Sequence, residues 1–156
     1  MGGALARAAR KRLSGDEILL SNRTAAKAED LAQELDCRAA DNAAVAAEED
    51  YIFLGVKPSM VAGLMEKIGP VLAARKDRFV LVSMAAALTI PDLRERGCGD
   101  WPLIRIMPNT PSAIGEGVIF YTCDGVTAEE EAAFLENMAG AGRLLPLDDH
   151  LMDAGS

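Results

Sequence analysis

Four consecutive residues, Ser21-Asn22-Arg23-Thr24, offer hydroxyl, amide and guanidinium donors and no carboxylate. At the end of the second strand of a dinucleotide-binding domain, an acid selects the free ribose 2′-hydroxyl. An Arg among such donors accommodates a 2′-phosphate instead. In that setting the four residues favour NADP; in any other they read equally well as a solvated turn leading into a helix N-cap. Three later segments combine small residues with prolines: Val56-Lys57-Pro58, Ser83-Met84-Ala85-Ala86 and Met107-Pro108-Asn109-Thr110-Pro111. Each follows an apolar run, so all three are expected to line one crevice at the carboxyl ends of parallel strands, where α/β domains bind their ligands. Ala85 and Ala86 are small enough for a flat ring to approach the backbone. The prolines around Asn109-Thr110 fix a loop on which a nicotinamide or a substrate can rest. The competing interpretation is three unrelated tight turns.

The elements that would position these residues follow from the apolar pattern. Residues 4–13 read as a helix with Leu5, Ala9 and Leu13 on one face and Gly15 as its C′ residue. Residues 17–21 read as a short buried strand. A helix capped by Thr24 follows, with Leu31 and Leu35 on its apolar face, then a brief strand at 37–40 and an Ala-rich helix opened by Asn42. Tyr51 to Val56 is an apolar run with almost no alternation, which suits a strand buried on both faces. Ser59 is the expected N-cap of the next helix, which carries Val61, Leu64, Met65 and Ile68 and closes near Gly69-Pro70. Strands are expected at 79–84, 103–107, 117–122 and 143–147, the last at an edge. Thr89-Asp92 and Thr127-Glu130 are helix starts, and Gly97 is a helix stop. Strands alternating with helices at this spacing give a doubly wound, mostly parallel α/β sheet. The first helix begins at glycines with no strand ahead of it, so the first strand of such a sheet is expected to be missing. Gly2 would then be the third glycine of a G-x-G-x-x-G fingerprint, and one glycine makes no fingerprint.

Composition limits what this domain can be. The 156 residues are half hydrophobic and about a quarter charged, enough to bury one real core. A formal net charge of −8 argues against non-specific nucleic-acid binding, which needs clustered Lys and Arg. No apolar run is long enough to cross a bilayer, and no signal peptide is expected. Cys37, Cys98 and Cys123 are widely spaced and odd in number, as in a reducing, cytoplasmic setting. The single histidine, His150, excludes a His-based metal cluster and a Ser-His-Asp set, and no metal is expected.

SNRT, the VKPS turn, VSMAAALTI, IRIMPNTP with GEGV, and the closing DDHLMDAGS together resemble pyrroline-5-carboxylate reductase over nearly the whole chain. MPNTP with VKP at this spacing is the specific part. The resemblance implies a Rossmann-type, NADP-binding domain over residues 1–147 and the start of a helical, dimer-forming domain at 148–156. It implies NADP(H), or NAD(H), as cofactor, 1-pyrroline-5-carboxylate as the small-molecule substrate and a homo-oligomer for the full-length enzyme. Carried over by residue, Ser21, Asn22 and Arg23 would meet the adenosine ribose and its 2′-phosphate, and Asn42 the adenine side. Val56, Lys57 and Pro58 would run along the cofactor, Ala85 and Ala86 would sit near its nicotinamide end, and Asn109 and Thr110 would stand at the mouth where nicotinamide and imine meet.

The chain departs from that family in three ways. The first strand and most of the glycine loop are missing, Ala87 replaces a usual glycine, and the sequence stops at DAGS before the helical domain. A fragment inactive by itself is therefore expected. The parent reaction would be hydride transfer to the imine carbon, giving L-proline, the last step of proline biosynthesis. No residue here is a convincing general acid, and His150 is expected on a surface turn. Two other functions stay open: a different NADP-dependent imine or hydroxyacid-type reductase, and a non-catalytic nucleotide-binding domain.

Overall fold

The computed structural model describes residues 2–22, 24–85, 88–107 and 117–151. The chain runs α1 (Gly2–Arg10), β1 (Leu19–Leu20), α2 (Ala25–Leu35), β2 (Arg38–Ala39), α3 (Asn42–Glu48), β3 (Tyr51–Leu54), α4 (Val61–Ala73), β4 (Val80–Ser83), α5 (Ile90–Leu93), β5 (Leu103–Met107), β6 (Gly117–Asp124), α6 (Ala128–Asn137) and β7 (Gly142–Pro146). Among the described residues the strands form two sheets, a parallel pair β1-β2 and a five-stranded sheet in the order β3-β4-β5-β6-β7. β3, β4 and β5 are parallel, β6 runs antiparallel to β5, and β7 is parallel to β6. The mostly parallel α/β architecture expected from the sequence is present. β1 and β3 each pair on one side only, so two parallel edges stand open among the described residues.

The five-stranded sheet is covered on both faces, which explains its uninterrupted apolar strands. Leu81 and Leu103 point into a core shared with Ile52 and Leu54 of β3, with Val61, Met65, Ile68 and Leu72 of α4, and with Leu93 of α5. Their neighbours Val80, Val82, Ile104 and Ile106 point the other way, to Leu5 and Ala8 of α1, Phe134 of α6 and Met138. All four residues of β4 are buried. β3 instead alternates half-buried and buried positions, because it is an edge strand rather than a central one.

Several local expectations are corrected. α1 ends at Arg10, and Gly15 opens a 3-10 turn behind Ser14 instead of closing the helix. The buried face of α2 is Ala28 and Ala32, not Leu31 and Leu35. Thr24 stands at the N-cap position but makes no side-chain cap; its own amide donates to Asn22 Oδ1 at 3.0 Å. Ser59 caps nothing, because Pro58–Met60 is a 3-10 turn and α4 begins after Met60. That helix also continues through Pro70 to Ala73, carried by Leu72, which is buried in the core.

Other helix signals match the structure. Thr89–Asp92 and Thr127–Glu130 form reciprocal capping boxes. Gly97 takes φ +115°, and a Cβ there would stand 2.7 Å from Met65 Cβ, so the turn that ends the helical stretch after α5 needs glycine. β7 is the edge strand expected near 143–147. The apolar start expected at His150 is a single 3-10 turn, Asp149–Leu151, as far as the described residues run.

Candidate functional site at the carboxyl ends of the strands

Ser21 and Asn42 meet. Ser21 follows β1 directly, Asn42 is the first residue of α3, and the Ser21 hydroxyl donates to Asn42 Oδ1 at 2.6 Å. The contact forms because β1 and β2 are parallel and end side by side at Leu20 and Ala39, three residues before α3 opens at Asn42. Asp41 is the N-cap of α3, accepting from the Ala44 amide at 2.9 Å, so the acid next to Asn42 is spent on the helix. Asn22 is exposed and its carbonyl oxygen is likewise spent on the turn, which leaves its amide N–H groups as donors. This end of the domain therefore presents the side-chain N–H groups of Asn22 and Asn42 as donors, of the kind a phosphate requires, while the Ser21 hydroxyl proton is already given to Asn42. Arg23 lies outside the described residues.

The second cluster lies where β3 and β4 end. Leu54 is paired with Ser83, so Gly55-Val56-Lys57-Pro58 and Met84-Ala85 leave the sheet side by side. A Cβ on exposed Gly55 would meet the Met84 side chain at 3.8 Å. Val56 and Pro58 are half-buried and Lys57 is exposed, while Ala85 is buried with its amide donating to the buried Ser83 Oγ at 3.2 Å. β5 is parallel to β4 and two residues beyond its Ser83–Arg105 pairing it reaches Met107 at the same end. Ala86, Asn109 and Thr110 fall outside the described residues, as do Ala87, Pro108 and Pro111. Gly2 is the first residue of α1. Among the described residues, then, the structure brings together Ser21 with Asn42, and Val56 to Pro58 with Ala85. The two groups sit on different sheets.

Sequence reasoning missed Arg105 and Asp149. Arg105 is buried within β5, and its Nη1 donates to the carbonyl and to Oδ1 of Asp149, each at 3.1 Å. Asp149 Oδ2 accepts from the Ile90 amide at 3.0 Å. An Arg in the apolar run LIRIM was the available signal. Asp92, in the capping box of α5, has its carboxyl held below the usual range, first by the backbone hydrogen bond from Thr89.

Two surface hollows are lined by none of the residues of the two clusters. One of about 440 Å³ is lined by Tyr121, Cys123, Glu131, Pro146 and Leu151 among others; there burial pushes both the Tyr121 hydroxyl and the Cys123 thiol up to about 12. The other, about 310 Å³, lies at the amino ends of β3 and β4, where Arg78 and Glu130 pair at 2.8 Å. Among the described residues no group of His, Cys, Asp and Glu could hold a metal ion, and no helix is long and apolar enough to cross a membrane.

A mostly parallel α/β fold, its larger sheet covered by helices on both faces, with polar donors at the end of the parallel pair and small residues at the strand ends of the larger sheet, is a Rossmann-type fold. The chain belongs to the family described as NADP oxidoreductase, coenzyme F420-dependent, whose model matches residues 1–87, more than half of its length. It is similar to the pyrroline-5-carboxylate reductase of Glycine max, with 33% identity over 111 residues, 70% of this chain and 39% of that protein. In structure it resembles a pyrroline-5-carboxylate reductase from Coxiella burnetii (TM-score 0.82, 20% identity, 94% of this chain and 54% of that one). It also resembles the Plasmodium falciparum pyrroline carboxylate reductase with NADP bound (TM-score 0.79, 22% identity, 98% of this chain and 56% of that one). The chain thus spans about half the length of the proteins it matches, 39% to 56% in these three.

Proposed function

We propose that this chain is the cofactor-binding part of a pyrroline-5-carboxylate reductase, which reduces 1-pyrroline-5-carboxylate to L-proline with NADPH, the last step of proline biosynthesis. The observation that carries the reading is the similarity to the Glycine max enzyme over 70% of the chain. The donor set fits the cofactor: the side-chain N–H groups of Asn22 and Asn42 are donors at the end of the domain assigned here to the adenosine ribose, with the Ser21 hydroxyl orienting Asn42 and Asp41 Oδ1 engaged by its helix. This favours the 2′-phosphate of NADP(H) over NAD(H). Arg23 would add the guanidinium.

Bound there, the dinucleotide supplies the hydride for the imine carbon. The chain's own part is positional. Ser21 and Asn42 anchor the adenosine end. Val56, Lys57 and Pro58 run beside the middle, and Ala85 with Ala86 leaves room for the ring. Asn109 and Thr110 are assigned the mouth where ring and substrate meet. No described residue offers itself as the proton donor, so that role is assigned to the part of the relatives' length that this chain does not span. The same holds for the dimer contacts of a homo-oligomeric full-length enzyme. The 156-residue chain alone is expected to bind NADPH and to turn over little substrate. Three free thiols, Cys37, Cys98 and Cys123, fit a cytoplasmic location.

Steady-state assays of the intact enzyme test the activity: NADPH oxidation that depends on 1-pyrroline-5-carboxylate is expected. Its absence, with a folded sample and with other cyclic imines or hydroxyacids accepted instead, would refute the assignment.

A further inference from the structure

A guanidinium in the middle of a buried strand is costly unless it is ion-paired and hydrogen-bonded. Arg105 is 1% exposed, on the same face of the sheet as Leu103 and its neighbour Ser83. Asp149 meets it with one carboxylate oxygen and its own carbonyl, and spends the other carboxylate oxygen on the Ile90 amide. Three segments distant in sequence are tied by this one side chain. The first is β5, just before the 108–116 segment. The second is the first turn of α5, directly after 84–89. The third is the 3-10 turn that follows β7. Where the chain leaves β4, the Ala85 amide donates to Ser83 Oγ. The Thr89–Asp92 box satisfies the amides of those two residues and leaves the first helical amide, that of buried Ile90, to the carboxylate arriving from residue 149.

We propose that Asp149 is a positioning residue: through Arg105 and the Ile90 amide it holds the first turn of α5 against β5, and so fixes where the connection that leaves β4 at Met84-Ala85, on the nicotinamide side of the crevice, must end. The placement of that first turn is thereby tied to the 3-10 turn after β7. The part concerning the nicotinamide rests on the cofactor reading above. The clamp itself does not.

The test uses the 156-residue chain and two variants. Asp149→Asn keeps the size and removes the charge. Asp77→Asn removes the Arg75–Asp77 pair, 2.7 Å apart, from the turn ahead of β4 and serves as a control for general destabilisation. Without any ligand, hydrogen exchange at the Ile90 amide should rise about tenfold or more in Asp149→Asn, beyond any change in the β4 amides, and should not do so in Asp77→Asn. Unchanged exchange at Ile90 overturns the clamp.

With ligand, Asp149→Asn should weaken NADPH about tenfold while leaving adenosine 2′,5′-bisphosphate unchanged, because the latter reaches only the Ser21–Asn42 end. Equal losses for both nucleotides mean general destabilisation and overturn the positioning role. If the unmodified chain binds neither nucleotide, the cofactor reading fails, and the exchange result still decides the clamp.

Discussion

Phe134 is the residue whose removal should be felt most at the edge of the sheet. It is 1% exposed, and its ring lies 6.2 Å from Tyr51, 6.2 Å from Phe53 and 6.4 Å from Tyr121. Two of these partners belong to β3, which has a ladder on one side only and carries Val56-Lys57-Pro58 into the crevice. Tyr51 is further held by its hydroxyl, which donates to the Glu130 carbonyl of α6 at 2.6 Å. Truncating a buried Phe to Ala costs about 3–5 kcal/mol, of which each aromatic pair supplies about 0.5–1.5 kcal/mol beyond area. For a domain of this size that is a fall in Tm of roughly 6–20 °C. Phe134→Leu keeps most of the apolar volume and should lose only about 1–1.5 kcal/mol.

Urea melts of both variants give the magnitudes, and hydrogen exchange gives the location. Phe134→Ala should accelerate the β3 amides more than those of β5. Leu93→Ala, a truncation on the opposite face at a residue equally buried, should not show that bias. A loss below about 1 kcal/mol, or equal acceleration of β3 and β5, would refute the claim that Phe134 secures the edge strand.

Four further outcomes are expected. Gly97→Ala places a Cβ 2.7 Å from Met65 Cβ at φ +115°, and should destabilise by about 1–3 kcal/mol in denaturant melts; a neutral result contradicts the packing described. Ser21→Asp brings a carboxylate to the proposed 2′-phosphate end and should shift the NADPH/NADH affinity ratio at least about tenfold toward NADH, an unchanged ratio counting against the proposed adenosine site. The fully buried Cys98 thiol is pushed by burial from 9.0 up to about 11, Arg94 opposing weakly. The folded chain keeps that proton while the unfolded chain releases it, so this group's contribution to stability is complete below pH 9 and is lost as pH rises toward 11. Urea midpoints that stay level from pH 8 to 10.5 would contradict it. The open edges of β1 and β3 favour strand pairing between molecules, so sedimentation should show association rising with concentration, and a strict monomer throughout speaks against it.

The strands with two covered faces were the legible part of the sequence. β4 and β5 are continuous apolar runs, and their ends fall within a residue of expectation because burial on both sides leaves no other place for them. Thr89-Asp92 and Thr127-Glu130 were equally plain, since a capping box is a local hydrogen-bond pattern that the neighbouring residues decide alone. Helix ends decided by distant contacts were not legible. Pro70 reads as a stop, and only Leu72, docked in the core, shows why α4 passes it. The Ser21–Asn42 contact joins two residues already singled out, but the hydrogen bond itself depends on the register of β1 with β2, which no periodicity of two short strands reveals. Arg105–Asp149 was hidden for the same reason: its partners are 44 residues apart.

The division of the strands into two sheets bears directly on how the proposed site works. Ser21 and Asn42 belong with β1-β2, Val56 to Pro58 and Ala85 with the five-stranded sheet, and among the described residues no backbone ladder joins the two. Their relative placement is carried by helices. α1 buries Leu5 and Ala8 against the larger sheet, while Arg7 pairs with Glu34 and Arg10 Nε donates to the Leu35 carbonyl at 2.8 Å, both on α2. The turn at Gly140 closes onto α1, where any Cβ would lie 2.6 Å from the Ala8 carbonyl. α3 is fixed at its far end by Arg75, whose Nη1 donates to the carbonyls of Ala46 and Glu49 at 2.9 and 2.6 Å. Side-chain contacts of this kind yield at lower free energy than a strand ladder. A dinucleotide that contacts both groups would bridge the two sheets and bind only their aligned arrangement. Part of its binding energy would then go into holding that alignment, and NADPH should raise the unfolding midpoint of the β1-β2 side more than that of β4 and β5.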